Sequence, residues 1–352
     1  MLLMRAAAVL FSFCTEYTYY DVAIYRCTLG LYKKERRCKM TTWTEALEFY
    51  LQCRTKNLVT KTNELSKCLD KEEAESIERS NLQRWQQLKE RRIRPLQSRL
   101  QINDFQVEKD GINEIVVRIK AREWYAYQLE KRWHEQEKDI HIRVMLRHVK
   151  DRWLIVQENK INGTPQKSVQ PVFQPQEDVS FNEEQIRKGS YVYNRLQAVR
   201  YAEAWWNEYN PNFRHFDVDC TNFISQCLYA GGIPFYSTGN RATGWWYRGG
   251  NSPSALWSYS WTVAHSFRWY LERGHIKTES KSSADQLSLG DVICYDFDGD
   301  GRWQHSTIVV AKDSHGMPLV NAHTTNSRHR YWDYRDSTAY TPNIKYRFFH
   351  IM

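Results

Sequence analysis

A cysteine that follows an acidic residue and opens an apolar run is a chemical candidate before any fold is assigned. Here it is Cys220, directly after Asp219, at the head of CTNFISQCLYAGG. The run reads as a helix that ends at Gly231 and Gly232, which puts Cys220 at its N-terminus. Unpaired backbone N–H groups and the helix dipole favour a thiolate there, and the thiolate is the nucleophilic form. His305 opens a later segment of period two, and its imidazole could hold that thiolate as an ion pair. Asn321 and His323 stand two apart on the next such segment and so share a face. Either could orient His305 by accepting its second N–H. The competing interpretation is an inert buried thiol, which suits Cys227 and Cys294.

These residues need elements to position them. Residues 191–209 read as an amphipathic helix with Tyr193, Leu196, Val199, Tyr201 and Trp205 near one face. The Cys220 helix follows, and Ser260 caps a third that ends at Gly274. The period then drops to two over 291–296, 305–311, 318–324 and 344–351. Three helices followed by an antiparallel sheet, with Cys on a helix, His on one strand and a polar orienter on the next, is the papain-like arrangement. Upstream, 43–100 reads as helix, and 112–120, 140–149 and 152–158 alternate as strands. The expected fold class is therefore α+β: an N-terminal helix-plus-antiparallel-sheet domain over 41–160, vaguely cystatin-like, a proline-containing linker over 161–190, and the papain-like domain over 191–352.

Composition narrows the function classes. The chain has 352 residues, a length that suggests about two domains. It carries 14 Trp, 22 Tyr and 14 Phe, too many rings for a disordered chain. The net charge of +9 is concentrated upstream of residue 161 with signs mixed, as on solvated helix faces, so no nucleic-acid partner is expected. No apolar stretch is long enough to span a membrane. None of the eight cysteines forms a CxxC pair, and neither a metal site nor a cofactor is expected. Scattered free thiols point to the cytoplasm. Residues 1–14, MLLMRAAAVLFSFC, carry a weak signal-like segment that leaves secretion open. Met40 followed by TTWTEALEFYLQ makes a better start, with 1–39 as an unstructured extension.

The motifs also carry a resemblance. Asp219-Cys220-Thr221-Asn222-Phe223-Ile224-Ser225-Gln226 is similar to the nucleophile motif of the putative amidase domain family of spore-forming bacteria, related to the NlpC/P60 and CHAP cysteine peptidases. DFDGDGRWQHSTIVV resembles the family's His strand and PLVNAHTTN its third-residue strand. The resemblance covers about 190–352. It implies Cys220 as nucleophile, His305 as general base and His323 as third member, with Asn321 as the alternative. The implied reaction is hydrolysis of an amide or peptide bond through an acyl-thioester, with the Cys220 N–H in the oxyanion hole. A peptide or amide substrate derived from peptidoglycan goes with it by analogy. The alternative is a non-catalytic module on the same fold that binds cell-wall peptides.

Two further features have a double reading. Asp219, Trp245 and Trp246 could line a substrate cleft, or the two indoles could be core. Asp296-Phe-Asp298-Gly-Asp300-Gly301 resembles half a calcium loop, but position 307 is Thr where that loop has Glu. A tight Asp/Gly hairpin leading into the His305 strand fits better. His134, His141 and His148, seven apart, read as surface histidines.

Overall fold

The computed structural model describes residues 40–61, 64–161 and 191–352. The expected extension over 1–39 and nearly all of the 161–190 linker lie outside the described residues. The fold is α+β, with helices and antiparallel strand pairs. It divides into two compact units whose borders do not follow the expected cut at residue 160. Within the described residues, one unit holds those up to Trp85 with Gln97–Glu123 and Ile140–Lys160. The other holds Gln86–Leu96 and Trp124–Asp139 together with the chain from Ile161 to Met352.

In the first unit, helix α1 (Trp43–Lys56) starts at Thr42, whose hydroxyl accepts from the Glu45 N–H while the Glu45 carboxylate bonds back, a capping box. Leu47, Tyr50 and Leu51, three and four apart, bury one stripe of that helix against Ile115, Val117, Ile142, Val144 and Ile155. The helix expected over 43–100 is in fact two. α1 is followed, after a short 3-10 turn, by α2 (Lys71–Glu90), and the segment from Ile93 is already strand. The strands are long: β1 (Ile93–Asp110), β2 (Glu114–Leu129), β3 (Arg132–Val149) and β4 (Arg152–Lys160). Residues 130 and 131, which belong to the second unit with the adjoining ends of both strands, turn β2 into β3 with positive φ at both Glu130 and Lys131.

In the second unit, Asn194 caps α3 (Arg195–Trp205) by accepting from the Gln197 N–H at 3.1 Å. Helix α4 (Cys220–Ala230) is buried from Cys220 to Leu228, and its polar members Thr221, Asn222, Ser225 and Gln226 each find a hydrogen-bond partner inside. A small hairpin, β5 (Tyr247–Arg248) and β6 (Leu256–Trp257), precedes α5 (Tyr259–Thr262) and α6 (Ala264–Glu272). The remaining strands are β7 (Thr278–Lys281), β8 (Val292–Asp296), β9 (His305–Lys312), β10 (Pro318–Ala322), β11 (Ser327–Tyr331) and β12 (Lys345–Ile351). Their order in the sheet is β11-β10-β9-β8-β12-β7, and the 132–139 stretch of β3 adds to β11 with Lys138 opposite Ser327.

The pleat divides β9 between two cores. Ser306, Ile308 and Val310 face α4, where Ile308 and Val310 join Phe223, Ile224, Cys227 and Leu228. His305, Thr307 and Val309 face the other way, toward Tyr295, Val320 and Tyr334. Among the described residues no helix is long and apolar enough to cross a membrane.

Candidate active site at the head of helix α4

Cys220 is the first residue of α4 and is 2% exposed. Its sulfur lies against the main chain at the start of β9, 3.9 Å from the Gln304 carbonyl and 3.8 Å from the Thr221 hydroxyl. The Thr221 hydroxyl is in turn 3.4 Å from the Ser306 hydroxyl. The contacts of the helix start thus fall on both neighbours of His305. Burial pushes the Cys220 thiol up, although the Ser306 N–H and the Thr221 hydroxyl pull the other way. Burial thus works against the thiolate expected at a helix N-terminus.

His305 is buried, and its Nε2 is 2.8 Å from the Tyr334 hydroxyl. Burial, with the Arg330 guanidinium second, lowers its pKa to about 3, so the ring is neutral. No hydrogen bond joins the Cys220 sulfur to the His305 ring among the described residues. The resting pair is a thiol and a neutral imidazole, not the expected ion pair.

His323 lies one residue past the end of β10, in the turn to β11, so it does not share a strand face with Asn321 as expected. Its Nδ1 is 2.7 Å from the Asp219 carboxylate and its Nε2 is 2.8 Å from the Trp205 carbonyl. The ring also stacks on Phe223 at 4.0 Å between centroids. The expected hydrogen bond from His323 to His305 is not formed, since both nitrogens of His323 are engaged elsewhere. Asn321 is likewise turned to α3. Its Nδ2 donates to Glu203 at 2.8 Å and its Oδ1 accepts from the His329 N–H at 2.9 Å.

Asp219 does not line a cleft. It is 1% exposed, and its second oxygen accepts from the Phe216 N–H and from Asn222, both at 2.9 Å. Trp245 and Trp246 are also core, because their indole N–H groups find partners inside. Trp245 donates to Ser225 at 3.0 Å and Trp246 to the Thr243 carbonyl at 3.1 Å. The more open aromatic at this end is Trp257, with the Arg241 and Arg214 guanidinium groups 4.9 and 5.7 Å from its ring.

Two residues that sequence reasoning missed touch the site. The Thr324 hydroxyl accepts from the N–H groups of Asp219 at 2.9 Å and Cys220 at 3.2 Å, so the donor expected to serve an oxyanion hole already has a partner. Thr324 adjoins His323 in the PLVNAHTTN motif and was within sight. Tyr334 was not, being one of 22 tyrosines with no distinguishing spacing.

The calcium-like loop is a tight turn. Asp296 accepts from the N–H groups of Gly299 and Gly301, each at 2.8 Å, and Asp300 from that of Arg302 at 2.8 Å. Among the described residues no cluster of three His, Cys, Asp or Glu could hold a metal ion. Of the three spaced histidines, His134 is buried between Tyr127 and Tyr331, with ring centroids at 5.4 and 4.3 Å, and is not at the surface as expected.

Residues 192–349 match the family described as "Putative amidase domain", a description that points to a hydrolase acting on an amide. Two proteins of Bacillus subtilis (strain 168) are similar. "Uncharacterized protein YhbB" is 56% identical over 165 residues, covering 46% of this chain and 51% of that protein. "Uncharacterized protein YjcM" is 31% identical over 144 residues, covering 38% of this chain and 31% of that protein. The chain thus spans about half the length of the first relative and less of the second. Among solved structures, the intermembrane space region of the chloroplast protein ARC6 is similar at a TM-score of 0.25 and 11% identity, covering 33% of this chain and 91% of that one.

Proposed function

We propose that residues 191–352 act as a cysteine amidase, with Cys220 as nucleophile and His305 as general base. The observation that carries this reading is the placement of the Cys220 sulfur against the main chain beside His305, at the head of a buried helix. A neutral imidazole is the form of a base that can take a proton, and a buried thiol is the form of an acid that can give one; the His305 ring, which rests on the face turned from α4, must reach the sulfur for the transfer. In the reaction the Cys220 proton passes to His305 as sulfur attacks the amide carbon. Collapse of the tetrahedral adduct expels the amine with that proton and leaves an acyl-thioester, which water hydrolyses. For the Cys220 N–H to stabilise the oxyanion, the Thr324 hydroxyl must give way to substrate. The kinship with NlpC/P60 and CHAP peptidases belongs to this proposal and supplies its substrate class, peptides of peptidoglycan.

The same two features favour a second reading, a binding module on this fold. The Cys220 N–H is occupied by Thr324, and His305 sits on the strand face turned from α4. Incubation of the full chain with soluble peptidoglycan fragments separates the two. Release of new amino groups, lost in Cys220→Ala, is the expected result. Fragments retained but uncut, with equal affinity for Cys220→Ala, would establish the binder instead.

A further inference from the structure

We propose that Tyr334 is the positioning residue for His305, accepting the Nε2 proton and so fixing the tautomer whose Nδ1 lone pair takes the Cys220 proton. The inference rests on the Cys220–His305 reading above. It gives the orienting role to a residue outside all three quoted motifs.

The geometry is specific. Tyr334 Oη is 2.8 Å from His305 Nε2 and is the hydrogen-bond partner of that side chain among the described residues. Both groups are buried, so water does not compete for the bond. Tyr334 has a backbone φ of 57°, a left-handed conformation that costs a bulky residue energy and persists only where surroundings impose it.

Those surroundings are a buried polar chain. The Arg330 guanidinium lies 4.0 Å from the centre of the Tyr334 ring. Arg330 Nε donates to Asp336 at 2.9 Å, and Asp336 also accepts from Gln136 at 2.7 Å and faces Lys138 at 3.5 Å. Gln136 and Lys138 stand on the part of β3 that belongs to this unit. From the end of α2, Arg91 donates to the carbonyls of Arg335, Ser337 and Tyr340 at 3.1, 2.5 and 3.1 Å, which ties down the loop that carries Tyr334.

A buried ion pair is a poor device for stability alone, since apolar residues of the same volume often do as well. What such a pair supplies here is a fixed place for one hydroxyl. Phenylalanine would fill the ring's space but leave Nε2 without an acceptor, and the ring of His305 would lose its tautomer preference. When Nδ1 takes the thiol proton, His305 becomes an imidazolium and its Nε2–H remains on Tyr334. The His305–Tyr334 bond is kept in that step, and the thiol is the group that changes partner, leaving the Gln304 carbonyl.

The test uses the full chain labelled with 15N-histidine, with His305 assigned by the signals that vanish in His305→Asn. At neutral pH the expected spectrum shows His305 as the Nε2–H tautomer, with a bare Nδ1. In Tyr334→Phe the two tautomers should mix. Alkylation of Cys220 by iodoacetamide should slow by about tenfold, a part of the roughly hundredfold or more that general bases contribute. Alkylation of Cys227 and Cys294 should not change, which reports an intact fold. An Nδ1–H tautomer in the unaltered protein overturns the inference, and so does a spectrum that Tyr334→Phe leaves as it was. If His305→Asn does not slow Cys220 alkylation, the Cys220–His305 reading itself falls, whatever the tautomer.

Discussion

His323 holds Asp219 across 2.7 Å, and the residue after that aspartate is Cys220. The turn after β10 is thereby bonded to the residue that heads α4. Thr324, next in the chain after His323, adds a second tie through its hydroxyl. The histidine that resemblance makes an orienter of the base is, in this fold, bonded to the residue that precedes Cys220.

Breaking this pair should be costly. Both groups are almost fully buried, so His323→Ala leaves a carboxylate without its partner. Removal of one member of a buried pair costs about 3–5 kcal/mol. Urea unfolding of His323→Ala should show a loss of that order, and a midpoint equal to that of the unaltered protein would refute the role.

The buried state of His305 predicts a pH dependence of stability. The unfolded chain takes a proton on this ring below about pH 6.5, whereas the fold holds it neutral down to about pH 3. Unfolding therefore takes up a proton in this window, and stability falls as the pH drops through it. Melting temperatures of the unaltered protein and His305→Asn should converge between about pH 7 and pH 4. Parallel curves would show that His305 titrates normally.

Asp333 should behave in the opposite sense. Burial raises its pKa to about 7, against about 3.9 for a free side chain. The folded state binds the proton in between, so stability is lost as the pH rises through that window. Asp333→Asn should raise the melting temperature above about pH 7 and leave it unchanged near pH 4. A penalty at high pH would mean that the bond to Arg335, at 3.1 Å, outweighs the desolvation.

The loop before β9 should ignore calcium. Both oxygens of Asp296 are committed to backbone N–H groups. Adding calcium or a chelator should leave the melting temperature of the full chain where it was. A rise with calcium would show that the turn reopens around the ion.

Much of the site's skeleton was legible in the sequence. The run after Asp219, ended by Gly231 and Gly232, read as the helix that forms there, and the change to period two located β9 and β10 nearly to the residue. The orientation of side chains was less accessible. His305 is the first residue of its strand, where a shift of one position decides which sheet face it joins, and nothing local fixes that parity. His323 falls just beyond β10, where strand periodicity no longer applies. Tyr334 and Asp336 act through a loop whose shape depends on Arg91, Gln136 and Lys138, more than 190 residues away in the chain. β1 was hidden because its apolar alternation is short and changes parity, with Leu100 and Ile102 on even positions and Phe105 and Val107 on odd ones, all only partly buried.

The pairing of β3 with β11 has a consequence for any shortened form of this polypeptide. Residues 192–349 match the family described above, yet their sheet continues into Glu137 and Lys138 of β3, far earlier in the chain. Cut out alone, that stretch would present the backbone of Ser327 and Arg328 as a naked edge, the kind that recruits foreign strands and precipitates.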